Sequence, residues 1–278
     1  MSSTLERYGV TLGDQRLGEG PVVVISDRVS LRGGDERWAE AADGPPVTLA
    51  EPSRAADLPA IAARAHGVVI GAAWTRDIPL VRAAATLGRP VVVERRPAAT
   101  LEEWLGVAAY CVAEGNDQVI LCESSDLGLL RAARTAAGRP VLADVSADAG
   151  LAAAAVAAGA DGLIVASESG RAAAEEAVAV VGALLRPEAP ATLPACRQAI
   201  DRVDAALATL LERRAALAGL VQRLKPVGGF AGRDPARERA LVARMAQRAP
   251  ELGEDRLAPI MNAVIEAGLH LAEERAAR

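Results

Sequence analysis

Charged side chains recur at fixed intervals in the last third of the chain, within a sequence that is otherwise rich in alanine and leucine. They follow the order R-x16-R-x10-K-x8-D-x2-R-E, that is, Arg197, Arg214, Lys225, Asp234, Arg237 and Glu238. A cation that faces an apolar core is unfavourable unless an anion meets it. The cations of this series are therefore candidates for binding an anionic ligand.

A long amphipathic helix is predicted to position these cations. Between Arg197 and Lys225, apolar residues recur at steps of three and four, which is the spacing of one helical face. These residues are Ile200, Val203, Leu207, Leu210, Leu211, Leu217, Val221 and Leu224. Arg214 and Lys225 are separated by close to three turns, so we expect both on nearly the same face as this apolar row.

A second helix is predicted to begin after Asp234. This residue type is a favourable N-cap, and Pro235 suits the first helical position. Arg237 and Glu238 then fall in the first turn. Taken alone, this segment is equally typical of a capped helix with a solvated charge cluster, because charges are common at helix ends.

The complete series of charges resembles that of the all-α chorismate mutase family, over roughly residues 193–276. The resemblance implies a three-helix domain that rearranges chorismate to prephenate in a pericyclic step, without metal or cofactor. No covalent intermediate forms, so catalysis rests on positioning and electrostatic stabilisation.

The roles of the family's residues carry over by position. Arg214 would hold a substrate carboxylate, and Lys225 would donate to the ether oxygen, where negative charge develops. Asp234 and Arg237 would support the ring side of the substrate. Glu238 would accept a hydrogen bond from the ring hydroxyl.

Arg197 would hold the second carboxylate, but it cannot do so within its own chain. It lies about 25 Å from Arg214 along one helix, at 1.5 Å per residue. A small dicarboxylate cannot span that distance. The resemblance therefore implies an intertwined homodimer with two composite sites, as in the family.

The final helix departs from the family pattern. The family usually carries a Gln or Glu that shares the ether oxygen with the lysine, and Ala272 stands there, one turn after Gly268. Either catalysis is weakened or the space left by these two residues admits a different substituent. The alternatives to chorismate are an amino-substituted chorismate and isochorismate, the latter as a lyase substrate. His270 is interpreted as a surface or partly packed residue.

The first two thirds of the chain alternate between short β-branched runs and alanine-rich helical stretches. The runs lie at residues 21–26, 67–71, 90–94, 118–122, 140–144 and 161–165. Apolar strands that alternate with helices are typical of a parallel α/β sheet or barrel. Over about residues 67–185 the sequence resembles the barrel of 3-deoxy-7-phosphoheptulonate (DAHP) synthase. The segment before Gly67 is too short for all eight βα units, so we expect a truncated barrel.

The phosphate-binding residues of the synthase family are replaced in this chain. Glu94, Arg95 and Arg96 stand where the family has Lys, Arg and Gly. The family's Cys-Glu-Arg-Gly becomes Cys122, Glu123, Ser124 and Ser125, and a further family arginine becomes Ala73. Phosphate recognition needs such cations.

The metal ligands of the synthase family are replaced as well. Ala147 stands at a ligand histidine and Ala166 at a ligand glutamate. A divalent metal needs several converging ligands. We therefore expect a barrel without synthase activity that serves as a scaffold or regulatory module.

Length and composition fit two soluble domains. The 278 residues divide into a barrel domain at 1–186, a linker at 187–192 and a helical domain at 193–278. The net charge of −5 predicts no nucleic-acid binding, and neither a membrane span nor a signal core is found. Three cysteines without a CxxC pair indicate a reducing, cytoplasmic location.

Two functional classes remain open. The first is a chorismate mutase, or a relative that acts on a modified chorismate. The second is a non-catalytic regulator that binds a pathway ligand or an active DAHP synthase. The six retained charges favour the enzyme, whereas Ala272 favours a regulator or a changed substrate.

Overall fold

The computed structural model describes residues 8–33, 38, 44–186, 188, 190–225 and 227–276. Contacts between α-carbons divide the chain into two compact units, Met1–Val203 and Asp204–Arg278. The predicted linker at 187–192 precedes this division, and its residues 187 and 189 lie outside the described part. The domain boundaries of the sequence analysis therefore stay a prediction.

The first unit contains a parallel sheet with the strand order β3-β10-β9-β8-β7-β6-β5-β4. An antiparallel hairpin of β1 and β2 precedes it. The strands are β1 (Val10–Leu12), β2 (Gln15–Leu17), β3 (Val23–Ile25), β4 (Arg28–Ser30), β5 (Val47–Glu51), β6 (Ala65–Ile70), β7 (Val91–Glu94), β8 (Val119–Glu123), β9 (Val141–Asp144) and β10 (Gly162–Ile164).

The two ends of this sheet order are neighbours in the sequence. Only Ser26 and Asp27 separate β3 from β4. Residues of β3 pair with β10, and residues of β4 pair with β5, both in parallel register. One segment therefore closes the sheet into a barrel. In the described residues, eight strands come from seven chain segments, one fewer than in a complete (β/α)8 barrel.

Helices follow the barrel strands from β5 onward. They are α1 (Leu58–Arg64), α2 (Ile78–Ala85), α3 (Leu101–Ala113), α4 (Leu127–Ala137), α5 (Ala152–Ala158) and α6 (Glu168–Ala177), the last continued by a π-helical turn (Val178–Gly182) and a short turn (Ala183–Leu185). Short 3-10 turns occur at Leu31–Gly33, Ala55–Asp57 and Ala149–Leu151. Local sequence fixes the helix starts. At α3, for example, Thr100 and Glu103 form a capping box.

Two buried clusters of apolar side chains lie on the two faces of the barrel strands. Outward-facing strand residues pack against the helices, and inward-facing residues such as Val92 and Ile120 form a separate cluster. Leu12 and Leu17 of the hairpin join the inner cluster. A β-carbon at Gly67 would lie 2.7 Å from Leu12, so glycine there admits the hairpin to the amino-terminal end of the barrel.

The second unit consists of helices. They are α7 (Leu193–Leu224), whose first turns group with the first unit, α8 (Pro235–Ala246) and α9 (Gly253–Ala276), with a 3-10 turn at Phe230–Gly232. Asp234 caps α8 by accepting from the backbone amides of Ala236 and Arg237, which confirms the predicted helix start. None of the helices in the described ranges is long and apolar enough to cross a bilayer.

The apolar row predicted along α7 is largely exposed in the single chain. Leu207, Leu210 and Leu217 are each about half exposed, at 49%, 53% and 55%. Within the single chain, this row is therefore largely unburied over most of its length. Ala206 is the buried residue of this helix among those described. His270 is exposed, with its ring 5.1 Å from that of Phe230, as its interpretation as a surface residue requires.

Candidate functional site

A pocket of about 320 Å³ lies between the second half of α7, the start of α8 and α9. Five of the residues named from the sequence line it, namely Arg214, Lys225, Asp234, Arg237 and Glu238. Arg233 and Arg244, which the motif does not include, line it too. Five cations and two carboxylates therefore surround one cavity, whose apolar wall includes Leu217, Val221, Leu241, Ile265 and Leu269.

Arg214 projects from α7 towards α9. Its Nη1 donates to the carbonyl oxygen of Val264 at 3.3 Å, which fixes one edge of the guanidinium. Gly268 lies on the next turn of α9, and a β-carbon there would lie 3.9 Å from Arg214 Nη1. Glycine at this position leaves free space beside the guanidinium, which a larger side chain would fill.

Lys225 lies immediately after α7. Its Nζ donates to the carbonyl oxygen of Gly232 at 2.6 Å. An ammonium has three donors, so two further protons are available to a ligand. One proton of the ammonium thus holds Lys225 to the loop, and the other two can donate to a ligand in the pocket.

The start of α8 contributes residues of both charges to the pocket. The carboxylate of Asp234 serves as the helix cap, so it is committed to backbone amides. Arg237 is exposed at the pocket rim. The helix N-terminus also adds partial positive charge from its unpaired amides.

Arg233 and Arg244 line this site but were not predicted from the sequence, and Arg233 makes the more extensive contacts. Its Nε and Nη2 donate to the two oxygens of Glu238, at 3.0 and 2.7 Å. The hydrogen bond from Arg233 is the main cause that lowers the pKa of Glu238 below its ordinary value. The motif does not predict this pair. Arg233 immediately precedes the N-cap residue Asp234, and in the sequence it resembles an ordinary surface charge.

The structure does not place Arg197 in this pocket. Arg197 is exposed near the start of α7 and is not among the described residues that line the cavity. Ala272 lines an adjoining pocket of about 330 Å³, which shares Gln222, Gly229 and Leu269 with the first one. Ala272 therefore lies beside the main cavity, and its role stays a prediction.

A second charged cluster lies in the barrel, at the carboxyl ends of the strands. Arg28 of β4 contacts three carboxylates, at 2.5 Å to Glu94, 2.9 Å to Asp144 and 3.3 Å to Glu51. The amide of Ala72 also donates to Glu94, at 3.0 Å. Burial raises the pKa of Glu94 above its ordinary value, despite the opposing effect of Arg28. The sequence showed Glu94 at the position of a lysine of the synthase family, but no sequence pattern predicted its ion pair with Arg28.

Arg95 and Glu123 form a buried ion pair beside this cluster. Arg95 also donates to Ser125 Oγ at 3.1 Å and to backbone oxygens, including that of Ala99 at 3.0 Å. Glu123 accepts from the amides of Ser124 and Ser125 at 2.9 and 2.7 Å. The hydrogen-bonding groups of both side chains are therefore engaged in contacts within the protein. These contacts connect the carboxyl ends of β7 and β8. The described residues contain no group of three or more His, Cys, Asp or Glu side chains arranged to hold a metal ion.

Two family models match separate parts of the chain. The chorismate mutase type II model matches residues 196–273. The DAHP synthetase I family model matches residues 47–133. The first match covers the pocket between α7, α8 and α9, and the second covers the barrel from β5 into α4.

Known proteins resemble the barrel part. The chain is 32% identical over 128 residues to the phospho-2-dehydro-3-deoxyheptonate aldolase of Thermotoga maritima, which covers 39% of this chain and 38% of that protein. It therefore spans well under half of the length of this curated relative.

Solved structures from the same organism are similar. The crystal structure of phospho-2-dehydro-3-deoxyheptonate aldolase (DAHP synthase) from T. maritima is 25% identical, with a TM-score of 0.51 over 58% of this chain and 64% of that chain. A truncated form of the T. maritima synthase is 24% identical, with a TM-score of 0.49 over 60% and 86% of the two chains. The two family models identify a chorismate mutase type II domain over residues 196–273, preceded by a DAHP synthetase I-like domain over residues 47–133.

Proposed function

We propose that the pocket between α7, α8 and α9 binds chorismate and catalyses its rearrangement to prephenate. The observation that carries this proposal is the convergence of Arg214, Lys225, Arg237 and Glu238 on one cavity. Its volume of about 320 Å³ suits a small ligand. The excess of cations over carboxylates in its lining suits a dicarboxylate.

The reaction needs no proton transfer, because one C–O bond breaks while one C–C bond forms within the same molecule. The protein must hold the reactive conformer and stabilise the charge that grows on the ether oxygen. We assign the substrate carboxylate to Arg214, which α9 already orients through Val264. Lys225 would donate to the ether oxygen, and Glu238 would accept from the ring hydroxyl.

The second carboxylate would be bound by Arg197 of a second copy of the chain. Two observations support a dimer. Arg197 is exposed and does not line the pocket of its own chain among the described residues. The apolar row of α7 is exposed, including Ile200 at 58% and Leu224 at 84%. Burial of such a row against a second copy is favourable at about 25 cal/mol per Å².

A changed substrate is a second candidate, and one feature of the pocket favours it. Gly268 leaves space beside Arg214, and Ala272 opens onto the adjoining pocket. An amino-substituted chorismate or isochorismate would use this space. The pocket's charges suit these compounds as well, since each carries the same two carboxylates.

The test of this function uses the purified full chain. Loss of chorismate absorbance, followed by identification of prephenate as the product, would support the proposal. Arg214→Ala serves as the matched inactive variant. Turnover of isochorismate or of an amino-substituted chorismate, with chorismate unchanged, would favour the second candidate. If the protein turned over none of these three compounds, both candidate enzyme functions would be contradicted, and a non-catalytic regulator would be the remaining function.

We further propose that the barrel has no DAHP synthase activity and acts as a scaffold or regulatory module. Three carboxylates face Arg28 at the carboxyl ends of the strands, and this charge opposes the binding of phosphorylated substrates. Incubation with phosphoenolpyruvate, erythrose 4-phosphate and added divalent metal should give no aldol product. Product formation, or one tightly held metal ion per chain by elemental analysis, would overturn this proposal.

A further inference from the structure

Arg233 connects three parts of the second unit through one guanidinium group. Besides its two bonds to Glu238 on α8, its Nη2 donates to Asn262 Oδ1 at 2.7 Å. Its Nη1 donates to Glu266 Oε1 at 3.3 Å. Asn262 and Glu266 lie on α9, so the loop before α8 is joined to both helices.

The partners of Arg233 are also joined to each other. Asn262 Nδ2 donates to the same Glu266 oxygen, at 3.0 Å. The side chains of Arg233 and Glu238 are about one quarter exposed, at 24% and 25%. A single surface ion pair has little effect on stability, but a bidentate guanidinium–carboxylate contact within a network is the exception.

The position of this network relates it to the pocket. Arg233 and Glu238 both line the cavity, whereas Asn262 and Glu266 lie outside its lining among the described residues. Arg233 donates one hydrogen bond to each oxygen of Glu238, which leaves further lone pairs of these oxygens available. Each carboxylate oxygen can accept a second hydrogen bond.

We infer that Arg233 is a positioning residue of this pocket, which holds the Glu238 carboxylate in place. The inference rests on the proposed function, in which Glu238 accepts a hydrogen bond from the substrate. It goes beyond the motif, because the motif contains no residue at this position. Arg233 acts through Glu238 and is assigned no contact with substrate.

The charged groups around Glu238 come from every neighbouring element. Lys225 follows α7, Arg233 and Asp234 lie in the loop, and Glu266 lies on α9 behind Arg233. Asp234 raises the pKa of Glu238, whereas Arg233 and Lys225 lower it, with Arg233 the largest influence. Removal of Arg233 therefore raises this pKa, even though Lys225 remains.

The first measurement does not depend on enzyme activity. The pKa of Glu238 is followed by ¹³C NMR of the glutamate carboxyl groups, with Glu238→Gln to assign the signal. We expect Arg233→Met to raise this pKa, and Arg233→Lys to raise it by less. Arg239→Met, which removes an exposed arginine of α8, should leave it unchanged. An unchanged pKa in Arg233→Met overturns the inference, whether or not the protein turns over chorismate.

The second measurement is the pH dependence of kcat/KM for chorismate. The acidic limb should move to higher pH in Arg233→Met by the same amount as the pKa, because the protonated carboxyl is a weaker hydrogen-bond acceptor than the carboxylate. Partial recovery in Arg233→Lys is expected. If Arg233 were merely structural, kcat/KM would fall equally at every pH, and this result would contradict the inference.

A further variant covers the case in which Arg233→Met does not fold. Glu266→Gln removes the charge on α9 and leaves Arg233 and Glu238 intact. It should leave the Glu238 pKa close to that of the wild type, because the direct partner remains. A shift as large as that expected for Arg233→Met would show that the charge on α9, not Arg233, sets the state of Glu238. If the wild type shows no turnover but the pKa shifts as expected, only the proposed function fails.

Discussion

The Nζ atom of Lys225 lies 2.6 Å from the carbonyl oxygen of Gly232, so the loop after α7 folds back onto the lysine that follows the helix. This contact holds the ammonium at the wall of the pocket, close to the start of α8. The loop thereby positions the cation before any ligand binds. A pre-positioned cation stabilises developing charge without reorganisation during the reaction.

Replacement of Lys225 should therefore affect the chemical step. We expect Lys225→Ala to lower kcat for chorismate by about 100- to 1000-fold, as for the loss of one oxyanion donor. Far-ultraviolet circular dichroism should remain that of the wild type. Arg213→Ala, an exposed cation on the same helix, serves as the control and should retain full activity. Near-normal turnover in Lys225→Ala would remove this lysine from the mechanism.

The composite site predicts complementation between two inactive variants. Arg197→Ala and Arg214→Ala chains are unfolded together, refolded and assayed. In a random mixture half of the dimers are mixed, and each mixed dimer has one intact site, so activity should return to about a quarter of the wild-type value. Each variant refolded alone should stay inactive. No recovery in a sample with verified mixed dimers would mean that Arg197 does not serve the partner's site.

Substitution of Ala272 separates the two candidate substrates. If chorismate is the substrate, Ala272→Gln should add a hydrogen bond of about 1–3 kcal/mol at the ether oxygen. Turnover would then rise roughly ten-fold or more. If the space serves a larger or amino-bearing substrate, the new side chain would fill it, and activity on that substrate would fall. No change on any of these compounds would place Ala272 outside the site, in the adjoining pocket alone.

The buried carboxylates of the barrel predict a pH-dependent effect on stability. Because the pKa of Glu94 is raised in the folded state, its protonated form favours folding at low pH. This contribution is lost as the pH rises through the raised pKa, since the folded state must then hold a buried charge. Glu94→Gln removes that charge while keeping a side-chain oxygen that can accept from Ala72.

We therefore expect Glu94→Gln to raise the free energy of unfolding at neutral pH, by about 1.4 kcal/mol for each unit of pKa shift that it removes. The gain should vanish below the ordinary pKa of a glutamate. Urea unfolding between pH 4 and pH 8 measures it. Glu176→Gln, an exposed acid of α6, is the control. A loss of stability at neutral pH would show that attraction to Arg28 outweighs the effect of burial.

Much of the fold follows from local patterns in the sequence. The apolar runs at 90–94 and 118–122 became β7 and β8 within one residue, because a strand buried on both faces must be apolar throughout. The N-cap at Asp234 follows from its side chain and the proline after it. The strands β4 and β5 were missed, since the first is a three-residue strand that begins at Arg28 and the second begins directly after two prolines.

The site was predictable only where a motif fixes its spacing. Arg214, Lys225 and Glu238 were found because the family motif fixes their spacing along the chain, and all three line the pocket. Arg233 and Arg28 were missed for a different reason. Both have partners from distant parts of the chain, Glu266 for Arg233 and Asp144 for Arg28, and no local pattern encodes those contacts.

The closure of the barrel by a single segment has a consequence for biosynthesis. Residues of β4 find their partners in β5 soon after they leave the ribosome, whereas Val23 of β3 must wait for Gly162 of β10. One edge of the nascent sheet therefore stays open until nearly the whole barrel has been translated. Contacts this distant in sequence form slowly. We expect the seam between β3 and β10 to be the last part of the barrel to become protected from proteases during synthesis.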